Sequence, residues 1–274
     1  MNDPHSKTYR FICYWFKTPL IRIIFFIWGF YTMPTKEIDI WDFWGDYEPT
    51  EQNKGVRSPI IISNHVSWMD MFILLIIGES PSFLSKMSVK KIPLVGGYAK
   101  MHQVIFMDRN NKKDRENILG IIQERAEKAV EGKFNPMIIF PEGTTTNGRA
   151  MMKFKKGGFF LPYPITVTAL WWDGHFIPCL DLITAPRSAL IFLSSFRNKV
   201  SYMRIKQPID PLWILKKHGR EVGEEGNWEI IAKEIKELMC FAFGIRNCDK
   251  TFRDKVEFDC KAQGITKEQL FKRE

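Results

Sequence analysis

Pro59-Ile60-Ile61-Ile62 is a short β-branched run that stops abruptly at Ser63-Asn64-His65. A run of about four apolar residues is too short to line a buried helix, so it reads as a buried strand. An apolar helix is expected to follow, from Trp68 to Ile77. Val104–Met107 reads as a second strand and Met137–Phe140 as a third, ending at Pro141-Glu142-Gly143. Ile165–Trp171 and Leu190–Ser194 suggest further strands. Between them, Lys113–Glu131 places apolar residues at helical spacing with Asp114 near its start, and Trp228–Phe243 has an amphipathic helical pattern. Strands alternating with helices indicate an α/β fold, a central mixed sheet flanked by helices. Pro34–Ser58 reads as a polar linker with an aromatic patch at Trp41, Phe43, Trp44 and Tyr47, and the tail after Cys248 is polar.

The stretch from Phe11 to Tyr31 is the strongest membrane signal. As a helix it would reach roughly 30 Å, about one hydrocarbon core. Lys17, Pro19 and Arg22 interrupt it, and the unbroken part, Ile23 to Tyr31, spans only about half a bilayer. An interfacial or re-entrant helix is expected, with Lys17 and Arg22 snorkelling toward headgroups; the alternative is a buried core helix. The chain then divides into a membrane-associating helical segment, 1–33, and one large domain, 34–274.

Forty Lys and Arg against 31 Asp and Glu give a net charge of +9 over 274 residues. Such an excess suits nucleic acid, anionic lipid or a phosphate-bearing substrate. No nucleic-acid signature accompanies it and the basic residues are scattered, so no nucleic-acid partner is expected. The 22 Phe and 9 Trp fit an apolar cavity or membrane-facing surface, and equally a well-filled core. The five cysteines, Cys13, Cys179, Cys240, Cys248 and Cys260, form no CxxC pair and follow no signal peptide, which points to reduced thiols. No His stands at ligand spacing beside the last three, so no metal site is expected.

Three segments carry candidate chemistry. Asn64-His65-Val-Ser-Trp-Met-Asp70 begins at a strand end, where ligands collect in open α/β sheets. Histidine can act as a base near neutral pH, and a carboxylate can fix its tautomer. Five residues of ideal helix leave two side chains about 140° apart, so His65 must precede the helix and Asp70 must reach back from its first turn. Taken alone, a His near an Asp is more often structural. Phe140-Pro141-Glu142-Gly143-Thr144-Thr145-Thr146-Asn147-Gly148 ends a strand in a turn dense in backbone donors and hydroxyls, followed by Lys153, Lys155 and Lys156. A solvated Gly/Thr turn is the plain alternative. Val104–Arg109 presents an arginine at a strand end, suited to a phosphate or to a surface ion pair.

The order of these segments is more specific than any one of them. NHxxxxD, a strand ending in Arg and then FPEGT resembles the motif series of the glycerolipid acyltransferase family, which includes the 1-acylglycerol-3-phosphate acyltransferases. FPEGTTTNG followed by Phe154-Lys155-Lys156-Gly157 is most similar to the lysophosphatidylcholine acyltransferase branch. The resemblance runs from Pro59 to Pro178. It implies that His65 is the general base and Asp70 its orienting partner. It also implies that Arg109, Glu142, Gly143 and Thr144 hold the phosphate and glycerol part of the acceptor. Tyr163–Val167 would be the fourth motif, near the acyl or donor pocket. Two positions depart from the pattern: Gln103 stands where the second motif usually opens with glycine, and Val167 where the fourth usually has a second proline.

The implied reaction moves a fatty acyl group from a thioester, acyl-CoA as co-substrate, to the free hydroxyl of a lysophospholipid of the lysophosphatidic acid or lysophosphatidylcholine type. No GxSxG elbow occurs and no Cys or Ser sits in a nucleophile motif, which favours direct transfer without a metal or other cofactor. Partners would be the lysolipid, the thioester and a membrane surface, with the site facing the cytosol and, in a eukaryote, at the endoplasmic reticulum. The alternatives are glycerol 3-phosphate or another lysolipid as acceptor, and an inactive lipid-binding member of the family.

Overall fold

The computed structural model describes residues 19–77, 81–87, 90, 99, 102–107, 117–173, 185–195 and 197–269. At its centre is a five-stranded mixed sheet. The strands are β1 (Thr35–Ile38), β2 (Ile60–Ile62), β5 (Met137–Ile139), β7 (Ile165–Asp173) and β8 (Lys199–Ile205), in the order β1-β8-β7-β2-β5. Only the β7/β8 pair is antiparallel among these neighbours. Two outlying strands, β3 (Leu84–Lys86) and β4 (Ile105–Met107), pair with each other in parallel. Ser82 bridges to Met137 and carries that pair alongside the main sheet.

The isoleucines of β2 show why a run without alternation is a strand here. Ile60 and Ile62 enter one apolar cluster and Ile61 enters another, all at 2% exposure or less. The first cluster is closed by α3 (Ile118–Val130), α5 (Pro211–Lys217) and α6 (Asn227–Phe243). The second is closed by α1 (residues 19–27), α2 (Asp70–Ile77) and α4 (Ala185–Ser194). A strand covered on both faces has no polar side to display. Each such isoleucine contributes about 1.5–3 kcal/mol by leaving water.

Two sequence expectations fail in this frame. Leu190–Ser194, read as a strand, is the second half of α4. A strand would set residues 190 and 192 on one face, whereas Phe192 is 1% exposed and Leu190 65%. Two residues of helix turn through about 200°, which separates them, and Pro186 in the first turn suits a helix start. Pro34–Ser58, placed within the large domain but read there as a polar linker, is packed structure. β1 pairs with β8, and Ile40, Trp44 and Tyr47 are buried in the first cluster. The segment is fastened by Asp210, whose carboxylate accepts from the Thr50 amide and hydroxyl, the Asn53 amide group and the Leu212 amide. The polar tail also holds structure. Strand β9 (Arg246–Asn247) pairs with β6 (Ala150–Met151), and α7 (Phe252–Gln263) starts at a capping box between Thr251 and Asp254.

Helix α1 buries Ile21 and Phe25 against the second cluster and leaves Leu20, Ile23, Phe26 and Ile27 more than half exposed. Arg22 is exposed. Its guanidinium donates to the Ile76 carbonyl at 3.2 Å, one of the last-turn acceptors of α2 that lack helical partners. Lys17 lies outside the described residues. Among the described residues, no helix is long and apolar enough to cross a membrane.

Candidate active site

The sheet positions the site through the unequal lengths of β2 and β7. β2 ends at Ile62, while β7 runs on to Asp173 paired only with β8. Asn64 occupies the gap. Its side-chain amide donates to the Leu170 carbonyl at 3.0 Å, and its side-chain oxygen accepts from the Leu170 amide at 2.8 Å. The side chain thus stands in for a strand backbone and fixes where the next residue, His65, leaves the sheet.

His65 precedes α2 and Asp70 is its first residue, the arrangement the five-residue spacing requires. His65 Nδ1 lies 2.8 Å from Asp70 Oδ2. That oxygen also accepts from the backbone amides of Val66 at 2.7 Å and Ser67 at 2.8 Å. The other oxygen, Oδ1, accepts from the Trp172 indole N–H at 3.0 Å. Asp70 is 0% exposed, so its charge is held by these four donors and not by water. A carboxylate that already accepts three N–H groups is an acceptor for the fourth as well. Nδ1–H is therefore the donor to Asp70, which in a neutral imidazole puts the lone pair on Nε2. The imidazole stacks on Phe140 at 4.0 Å between centroids, with 21% of its side chain exposed. It can meet a ligand on its open edge.

The turn after β5 clasps the same loop. The Thr146 amide donates to the His65 carbonyl at 2.7 Å. Gly148, at φ 70°, lies so close that a Cβ there would sit 2.8 Å from the Val66 side chain. Glu142 points inward and is 1% exposed. Its Oε2 accepts from the Met152 amide at 3.0 Å, and its Oε1 has no hydrogen-bond partner among the described residues. Burial pushes the Glu142 carboxyl up to about 7, against the opposing pull of the Met152 and His65 amides and of Lys236. Gly143, exposed at φ 73°, leaves its space to the end of the Lys155 side chain, Nζ nearest, and that ammonium lies 4.0 Å over the Phe252 ring. Thr144 is half-buried. The turn thus meets the His65 loop through Thr146 and Gly148, with Glu142 facing the interior. Arg109 lies outside the described residues.

Gln103 retains the backbone its position demands. Its φ is 57°, the left-handed conformation that glycine adopts freely. The strain is offset by hydrogen bonds from Arg125 to its carbonyl at 2.6 Å and from the Asn135 amide to its side chain at 2.9 Å. In the fourth motif, Val167 is fully buried inside β7. Cys240, Cys248 and Cys260 are free thiols, and no group of metal ligands is found among the described residues.

Sequence reasoning missed Trp172, which lies 102 positions from Asp70 and belongs to no motif. It also missed a cleft of about 360 Å³ beside the turn, lined in part by Asn147, Arg149, Trp171 and Arg246. Two guanidiniums beside an indole suit a phosphate-bearing ligand.

Compared with known proteins, residues 48–179 match the family model described as Acyltransferase. The chain is 33% identical over 205 residues to the lysophospholipid acyltransferase LPEAT1 of Arabidopsis thaliana, covering 68% of this chain and 50% of that one. To the lysophosphatidylcholine acyltransferase of Drosophila melanogaster it is 26% identical over 210 residues, covering 72% of this chain and 35% of that one. The chain thus spans half or less of the length of these curated relatives. Among solved structures, it matches the 1-acyl-sn-glycerophosphate acyltransferase PlsC of Thermotoga maritima with a TM-score of 0.47 and 20% identity, covering 86% of this chain and 81% of that one. The resemblance read from the motif series is borne out over the region that holds His65, Asp70 and Glu142.

Proposed function

We propose that this chain, which carries an acyltransferase domain over residues 48–179, moves a fatty acyl group from acyl-CoA to the free hydroxyl of a 1-acyl lysophospholipid. One observation carries the mechanism: His65 Nδ1 is tied to Asp70 Oδ2 at 2.8 Å, which leaves Nε2 as the proton acceptor. Nε2 takes the proton from the acceptor hydroxyl as its oxygen attacks the thioester carbonyl. The tetrahedral intermediate collapses with cleavage of the C–S bond, and the imidazolium returns its proton to the departing thiolate. Ester and free thiol result, and Asp70 remains an ionised acceptor throughout. In this reading Arg109, Gly143 and Thr144 hold the acceptor's phosphate and glycerol part. Glu142 contributes from behind by holding the turn against the His65 loop.

The test is a lysolipid panel with acyl-CoA, read by mass spectrometry, with glycerol 3-phosphate as one arm. Wild-type protein should form diacyl product from at least one lysolipid. His65→Ala should lose about 10³-fold or more in kcat. Near-normal turnover in that variant would refute the base. Thioester release by the wild type separates an enzyme from a lipid-binding protein that has lost catalysis. The cleft beside Arg149 and Arg246 is the proposed seat of the CoA phosphates. Replacing both arginines by alanine should raise KM for acyl-CoA about tenfold at nearly constant kcat; an unchanged KM removes that assignment.

The membrane is the proposed location, with the site on its cytosolic side. The outward face of α1 carries Leu20, Ile23, Phe26 and Ile27, and Tyr31 follows. α4 adds exposed Leu190 and Leu193 on the neighbouring element, where Trp28 stacks with Phe192 at 6.4 Å. An apolar face this short lies in the interface, with its rings among the headgroups.

A further inference from the structure

We infer that Trp172 is a positioning residue for the His65–Asp70 pair: its indole N–H holds the second carboxylate oxygen so that the first stays aimed at the imidazole. The inference rests on the reading of His65 as the base. Three N–H groups, from His65, Val66 and Ser67, converge on Asp70 Oδ2. That leaves Oδ1 in a place where the residue is wholly buried, and the Trp172 indole at 3.0 Å is its donor. Without that donor, the carboxylate can satisfy Oδ1 only by rotating, which shares the three N–H groups between two oxygens and draws Oδ2 off the imidazole.

The choice of donor matters. A hydroxyl could donate or accept, whereas an indole N–H only donates. It is therefore compatible with an ionised Asp70 and selects the tautomer that leaves Nε2 free. The indole itself is fixed on several sides. Its backbone pairs with Val200 in the β7/β8 ladder, and its ring meets Phe30 edge-on at 5.8 Å and Phe192 at 6.1 Å. Phe30 belongs to the segment just after α1, so the apolar N-terminal region buttresses the same ring that holds the carboxylate. A tryptophan serving only as core filler would need the rings and not the N–H.

Trp172→Phe separates the two roles, because it keeps the ring packing and removes the donor. The expected result is a fall in kcat of about tenfold or more, with KM for lysolipid and thioester within about twofold of wild type. The downfield imidazole Nδ1–H resonance of His65, seen by proton NMR, should move upfield or broaden beyond detection. A folded Trp172→Phe protein with wild-type kcat and an unmoved Nδ1–H resonance overturns the proposal. Should that variant fail to fold, the indole N–H resonance of Trp172 decides. It is expected to be protected from exchange in the wild type and to shift in Asp70→Ala, and an indole proton indifferent to that change overturns the proposal. Neither resonance depends on turnover. A wild-type protein inert toward every thioester would therefore refute acyl transfer while leaving the place of Trp172 to be judged by NMR.

Discussion

Glu142 shows how burial changes the chemistry of a motif residue. It is buried behind the turn, and its ordinary value of 4.5 is raised to about 7 by loss of water. Between those values the folded protein keeps a proton that the unfolded chain has released. The stability linked to this group is therefore complete below about pH 4.5 and falls as pH rises. It is lost above about pH 7, a change of about 3 kcal/mol. Glu142→Gln, neutral at every pH, should flatten that slope. Urea unfolding at about pH 5 and about pH 8 should give the variant a smaller difference than the wild type by at least about 1 kcal/mol. Equal differences would mean that the carboxyl is ionised throughout. Gln103 makes a related point, since a departure from the expected glycine leaves the backbone conformation in place at φ 57°.

At the scale of the element, α1 is built from one apolar stripe that packs and another that does not. Ile21 and Phe25 fill the second cluster, so charges on the outer stripe should leave the domain folded. Ile23→Glu with Phe26→Glu is expected to abolish co-sedimentation with phospholipid vesicles while thermal unfolding stays within a few degrees of wild type. Retained vesicle binding in the double variant would mean that another surface carries the contact. The strand expected at Leu190–Ser194 fails for a reason visible in the same cluster. Short apolar runs do not reveal their period, and only the burial of Phe192 beside exposed Leu190 identifies a helix.

The whole molecule is a sheet with helices on both faces and a net charge of +9. An apolar patch on a basic protein should bind anionic vesicles more tightly than neutral ones. Raising salt from about 0.05 to about 0.5 M should erase most of that difference by screening. A salt-independent preference would assign binding to apolar contact alone.

The order of short strands and longer helical patterns was enough to establish an α/β fold. The spacing of His65 and Asp70 was enough to require a loop-to-helix junction. Both are local properties: side-chain period and the rotation per residue are set by backbone geometry within one segment. The parts that stayed hidden depend on partners far along the chain. Pro34–Ser58 looked like a linker because its buried aromatics and the Asp210 anchor meet only after β1 pairs with β8. Glu142 gave no sign that it faces inward, since burial is decided by what packs over a residue. Trp172 joins Asp70 only because β7 outruns β2 and brings an indole to a helix start 102 positions away. The motif resemblance carried the pairing of His65 with Asp70 and spacing set its geometry, while tertiary packing alone supplied the donor that closes it, because a hydrogen bond depends on distance in space and not along the chain.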